Sequence, residues 1–312
     1  MATSFQAIVI GTSLSEASDD VVRVGATLAQ ATGAVPWLVH VHSRPSSPSE
    51  LWGVVDGTWR EEHMLAVRKK LVPQAQRIGL TGLPGFGPAQ LRPTMGSPYE
   101  EIVGLARQVQ ADLIVIGAAE GDRGVRRLLL GSTADGVIRR APCPVFVVRS
   151  GATFPPRLVE IAVDLSHLSA HALRQGMDFL SRLGVGLAET EFLFVLDPEE
   201  VASSRHFRRS ALDGMQFFLA DNGVSSEKAQ VRTGYPSMEI LAVLKERQAD
   251  LVILGTHERR GFKRFMLGSV ATEVMHRAAC NLLIVPPEDQ LQQGAEAPQE
   301  ENRTSGRSVT AS

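Results

Sequence analysis

Two loops of this chain contain the residue types that hold a phosphate. "GAAEGDRGVRRLLLGS" follows the apolar run "ADLIVIG", and "GTHERRGFKRFMLGS" follows "ADLVILG" 138 residues further on. Where a strand runs into a helix, the first N–H groups of the helix have no partner inside it and point outward, which suits an anion. Glycine allows close approach and positive φ, and a hydroxyl at the helix start adds a donor. Gly117, Gly121, Gly124, Gly131, Ser132 and Thr133 supply these elements in the first loop, and Gly255, Gly268 and Ser269 in the second. The competing reading is a pair of ordinary helix N-caps, with Ser132 and Ser269 bonding their own backbone. Arg123, Arg126, Arg127, Arg259, Arg260, Lys263 and Arg264 flank the loops, either to neutralise phosphates or as a solvated face.

Other chemistry is thinner. His167 and His171 stand four apart on an expected helix with Asp164 just before them, the outline of a metal site. No third strong ligand is spaced to complete it, so the pair reads as helix surface and no metal is expected. His257 reads as a residue that shapes its loop. No Ser-His-Asp or Cys-His arrangement and no paired acid and base can be assembled, so no catalytic residue is assigned. Cys143 and Cys280 each precede a terminal apolar strand and read as small buried hydrophobes.

The elements that position these loops follow from a long internal repeat. "SEASDDVVRVGATLAQATG" and "SHLSAHALRQGMDFLSRLG" share a layout, as do "MGSPYEEIVGLARQVQADLIVIG" and "TGYPSMEILAVLKERQADLVILG". A period this long means duplicated domains. Within the first unit "AIVIG", "VPWLVHV", "LRPTM", "DLIVIG" and "PVFVVR" are short, β-branched runs separated by segments of helical spacing. Such strands alternate with helices in a parallel sheet covered on both faces. The expected fold is α/β, two tandem doubly wound five-stranded sandwiches of Rossmann-like type. Helices are expected near 16–32, 58–78, 98–110, 132–140, 168–183, 205–222, 236–248 and 269–278, with Pro98 and Pro236 in first turns and Gly33 and Gly184 as stops. The domains are expected at 1–150 and 151–287, joined through "SGATFPPR", with 288–312 a disordered tail poor in large apolar residues.

A formal charge of −2, with 44% hydrophobic and 21% charged residues, points to neither nucleic acid nor an anionic membrane surface as partner. No apolar stretch is long enough to span a bilayer, and the expectation is a cytoplasmic protein.

On these ordered elements, including "GSP" and "GYP" before the third helix and the final "CPVFVV" strand, the chain resembles a tandem member of the universal stress protein superfamily, a fold related to the adenine nucleotide alpha hydrolases. The likeness spans residues 5–150 and 157–287. The family's nucleotide-binding branch carries Gly, two residues, Gly, nine residues, then Gly-Ser or Gly-Thr, and an Asp after the first strand that contacts adenine. The resemblance implies ATP or a related adenine nucleotide as ligand, action through conformation and an unidentified protein partner, and an internal pseudo-dimer formed through the final strands, with further homodimerisation left open. The first half departs from the pattern by one inserted residue between Gly117 and Gly121 and by Ser13 at the Asp position. The second half keeps Asp164 but has Glu258 where the second Gly should be, which turns a negative charge toward an anion. The alternatives are an interaction module without nucleotide and, last, a weak ATPase.

Overall fold

The computed structural model describes residues 5–42, 58–118, 130–186, 189–198, 207–256, 267–288 and 290. The first half runs β1 (Ala7–Gly11), α1 (Ala17–Thr32), β2 (Val35–His42), α2 (Thr58–Ile78), β3 (Leu91–Met95), α3 (Pro98–Gln108), β4 (Leu113–Gly117), α4 (Ser132–Arg140) and β5 (Val145–Val148). The second repeats it as β6 (Val159–Val163), α5 (His167–Arg182), β7 (Thr190–Leu196), α6 (Phe207–Asp221), β8 (Ala229–Thr233), α7 (Pro236–Arg247), β9 (Leu251–Gly255), α8 (Ser269–Arg277) and β10 (Asn281–Val285). Pro98 and Pro236 open their helices, and Gly33 ends α1 at φ 74.

The strands are continuous apolar runs because the sheet is covered on both faces. Ile8, Val9 and Ile10 are all fully buried, although neighbours along a strand point to opposite sides. One core layer gathers Ile8, Ile10, Leu28 and Leu71 with Ile161 and Leu173; the other gathers Val9, Ile114 and Val137 with Val252 and Met275. Each layer therefore passes through both halves.

Close helix–sheet approach depends on a glycine within α1 and another within α5. A Cβ on Gly25 would lie 2.5 Å from Ile10 Cδ1, and one on Gly176 would lie 2.9 Å from Ile253 Cγ2. Gly25→Ala should therefore destabilise the protein by about 1–3 kcal/mol through overpacking, despite the better helix propensity of Ala. Gly176→Ala should cost less, and urea unfolding of the two variants checks the order.

All ten strands form one sheet in the order β3-β2-β1-β4-β5-β10-β9-β6-β7-β8. Pairing is parallel within each half. Between the halves β5 and β10 are antiparallel, with Val145 opposite Ile284, Phe146 opposite Leu283 and Val147 opposite Leu282. The final strands thus cover each other's apolar edges, which would otherwise invite association. Beyond β10 the Gln290 amide donates to the carbonyls of Ala141 (2.9 Å) and Arg139 (3.4 Å) at the end of α4, so this residue of the expected tail is tied to the first half.

One buried place distinguishes the halves. Val9, Trp37 and Val109 pack in one apolar layer of the first half. Their repeat positions hold Glu160, Glu191 and Arg247. Arg247 Nη1 donates to Glu160 Oε2 at 2.5 Å, and its Nη2 lies 3.0 Å from Glu191 Oε1. Glu160 is wholly buried and its Oε1 has no hydrogen-bond partner. Burial pushes its carboxyl up to about 7, with the hydrogen bond and charge of Arg247 pulling the other way.

Candidate functional site

The sheet order reverses between β1 and β4, with β2 and β3 on one side and β5 on the other. Ligands of open α/β sheets bind beyond the carboxyl ends of the strands at such a point. The turn after β1, the end of β4 and the start of α4 converge there.

At the end of β4 the N–H of Ala118 donates to Val148 O at 3.1 Å, and the carbonyl of Ala118 accepts from Gly131 N at 2.5 Å. This bond ties both ends of the intervening loop to the same strand end. Gly131 is the N-cap of α4 at φ −72, ψ 157, and its carbonyl accepts the first helical bond, from Asp135 N at 3.0 Å. The N–H groups of Ser132, Thr133 and Ala134 consequently have no acceptor within the helix. Ser132 is exposed and Thr133 half-buried. The second half repeats the arrangement, with Gly268 as N-cap at φ −60, ψ 148, Thr272 N donating to its carbonyl at 2.9 Å, and Ser269 exposed.

Two expectations are corrected here. Ser132 and Ser269 are the first residues of their helices rather than N-caps, so their hydroxyls do not replace a ligand at the cap position. Among the described residues the glycines of the site are not there for positive φ either: Gly117, Gly131, Gly255 and Gly268 are all absent from the left-handed residues. What remains is space. A Cβ on Gly117 would come within 3.2 Å of Val21 Cγ2, and one on Gly255 within 3.1 Å of Ala172 Cβ, so these two glycines let α1 and α5 close over the strand ends.

The left-handed residues of the site are leucines. Leu14 (φ 66) and Leu165 (φ 63) occupy the same position in the turns after β1 and β6. A non-glycine residue in this region costs on the order of 1 kcal/mol or more and persists only where its surroundings impose it. Around Leu14 they do. The Thr12 hydroxyl accepts from Leu14 N (3.1 Å) and donates to Gln74 Oε1 (2.9 Å), and Gln74 Nε2 donates to Asp19 Oδ1 (2.8 Å). Asp19 also holds Arg77. Burial acts to raise the Asp19 carboxyl, but the bonds from Gln74 and Arg77 outweigh it and hold it below the usual range. His40 Nδ1 donates to Thr12 O at 2.8 Å from β2. The only advance signal for any of this was the repeated "SLS" and "DLS" after the first strands.

Ser13 is exposed at the tip of the first turn, its Oγ 3.0 Å from Ser15 Oγ. Asp164 is exposed at the matching position, and its Oδ1 accepts from Ser166 N (3.1 Å) and Ser166 Oγ (2.6 Å). Ser166 in turn caps α5 by accepting from Ser169 N. Gly121, Gly124, His257, Glu258 and the seven basic loop residues lie outside the described residues.

His167 is exposed, but His171 is buried, against the expectation of a helix surface. Its Nε2 makes no hydrogen bond, and burial holds its pKa below the ordinary imidazole value. Among the described residues no three His, Cys, Asp or Glu side chains gather as a metal site. Cys143 and Cys280 are free and buried, and burial raises both thiols. No helix among the described residues is long and apolar enough to cross a membrane.

Comparison with known proteins accounts for the repeated architecture. The family model described as Universal stress protein family matches residues 4–149 and again 158–286. The chain belongs to the universal stress protein family. A universal stress protein of Mycobacterium tuberculosis is 25% identical over 304 residues, which cover 89% of this chain and 96% of that one. The universal stress protein E homolog of Haemophilus influenzae is 30% identical over 169 residues, spanning 48% of this chain and about half, 54%, of the relative. Among solved structures, a universal stress protein from Archaeoglobus fulgidus superposes with a TM-score of 0.67 at 20% identity, covering 90% of this chain and 98% of that chain. At that identity the likeness concerns the fold.

Proposed function

We propose that this universal stress protein acts in the stress response as an adenine-nucleotide binder whose first half holds the ligand, ATP or a close relative. The observation that carries the reading is the first turn of α4: three N–H groups without helical acceptors and two hydroxyls, opened by a glycine N-cap, at the point where the strand order reverses. The phosphates lie against Gly131, Ser132 and Thr133. The base lies toward Ser13, whose hydroxyl hydrogen-bonds an adenine edge or the ribose. The ligand acts through conformation, and its occupancy is read by a protein partner in the cytoplasm. Freshly purified protein, denatured and filtered, should release material with adenine absorbance. Its absence, together with no thermal shift in ATP, would leave an interaction module without ligand.

The second half is proposed to bind weakly because of Glu258, while Asp164, Gly255, Gly268 and Ser269 keep the pattern. A carboxylate about 5 Å from a phosphate costs a few kcal/mol at an effective dielectric near 20, before salt and nearby arginines reduce it. Glu258→Gly should therefore raise ATP affinity in the second half by roughly a hundredfold. Calorimetry on the full chain with the first site closed by Gly131→Val isolates this signal. An unchanged isotherm would place the obstacle elsewhere.

A further inference from the structure

The seam between the halves is nearly symmetric, and it is at the break in that symmetry that it carries information. Val145, Phe146 and Val147 correspond in the repeat to Leu282, Leu283 and Ile284, so the pairing of β5 with β10 centres on Phe146 and Leu283. By the same correspondence Arg149 matches Pro286 and Asn281 matches Pro144. At one end of the seam the N–H of Arg149 donates to Asn281 Oδ1 at 3.0 Å, and Asn281 Nδ2 donates to Thr153 O at 3.0 Å. The Arg149 guanidinium donates to the carbonyl of Met275 in the last turn of α8. Both side chains are buried, Asn281 completely. At the other end the matching positions hold Pro144 and Pro286, which have no N–H to give.

We propose that this seam accepts only the unlike half, so that a first half rejects the first half of another chain and a second half rejects another second half. Laying β10 against a second β10 brings Pro286 to the place of Arg149, with no N–H to offer, so the buried Asn281 Oδ1 loses its donor. Laying β5 against a second β5 puts the Arg149 N–H opposite Pro144, where no acceptor replaces Asn281, and sets Phe146 against Phe146 where Leu283 now fits. A buried polar group left without a partner disfavours such an interface by its full desolvation cost. The unlike pairing alone gives the Asn281 Oδ1 its donor and the Arg149 N–H its acceptor, whether β5 and β10 come from one chain or from two chains exchanging halves. The selectivity is independent of the nucleotide reading.

A double-mutant cycle on the intact chain tests this. Arg149→Pro creates within one molecule the contact of a β10-on-β10 seam, an asparagine facing a proline, and Pro286 shows that the matching backbone position takes proline. Urea unfolding of the parent, Arg149→Pro, Asn281→Leu and the double variant compares the damage with and without the amide; loss of the guanidinium contact is common to both backgrounds and cancels. Arg149→Pro is expected to lower the folding constant at least tenfold more when Asn281 is present than in the Asn281→Leu background, and any smaller coupling overturns the proposal. Should Arg149→Pro fail to fold, the unsubstituted protein with a protease site after Gly151 decides instead. Cut, unfolded in urea and refolded, it should show only unlike pairs by native mass spectrometry, and like pairs at the statistical quarter each would overturn the proposal.

Discussion

Gly131→Val is expected to lower nucleotide affinity at least a hundredfold, or about 2.8 kcal/mol, while leaving the fold intact. The two halves of this expectation have separate causes. At φ −72, ψ 157 the backbone of Gly131 is in a region that β-branched residues favour, so the substitution meets no conformational strain. Its cost to the helix is that of a poor N-cap, about 1 kcal/mol or less, since Gly131 makes no side-chain cap to lose. On the proposed reading, however, the isopropyl group would stand in the path by which a phosphate reaches the N–H groups of Ser132 and Thr133. Calorimetry with ATP and a thermal melt on one preparation separate the two effects. Retained affinity in a folded variant would move the ligand away from α4.

Arg247→Met should destabilise the protein by about 3–5 kcal/mol at pH 8, because it leaves Glu160 buried without its cation. The penalty should shrink on acidification. The Glu160 carboxyl, usually near 4.5, is already raised to about 7 in the fold, so the folded state holds a proton that the unfolded state releases. Stability from this group is fully present below about pH 4.5 and is lost as pH rises through 7. Without Arg247 the folded carboxyl climbs further, and the loss extends to higher pH. The surrounding charges, Glu191 and Arg232, remain in both proteins. Urea unfolding at pH 5.5 and pH 8 reads the difference, and an equal penalty at both would show that Glu160 stays ionised. Installing the first half's own residues, Glu160→Val with Glu191→Trp and Arg247→Val, should by contrast be neutral or stabilising, since it replaces an ion cluster with apolar packing.

That cluster was invisible in the sequence for a physical reason. In "VEIAV" a single charged residue at an alternate position reads as the solvent side of a strand. Both faces of this sheet are covered, so the side chain is buried and must find a cation from a helix nearly ninety residues on. The same blindness applies to His171, whose spacing from His167 suggests a surface, and to the strained Leu14 and Leu165. What could be read locally was read well. Continuous apolar runs identified strands covered on both faces, Pro98 and Pro236 marked helix starts, and the family resemblance implied that the last strands would meet. The candidate site divides along the same line. Its glycines and hydroxyls are visible as a motif, but whether glycine serves torsion or room depends on backbone angles, and these favour room.

The antiparallel join of β5 to β10 also decides how the molecule presents itself to others. Since all strands of one half run the same way and those of the other run against them, the two α-helix mouths, at Gly131 and at Gly268, open toward opposite poles of the sheet. A rigid partner seated over one pole leaves the other in view. Two visitors could be received at once, one over each pole, and the chain would then serve as a two-ended coupling whose ends are addressed separately.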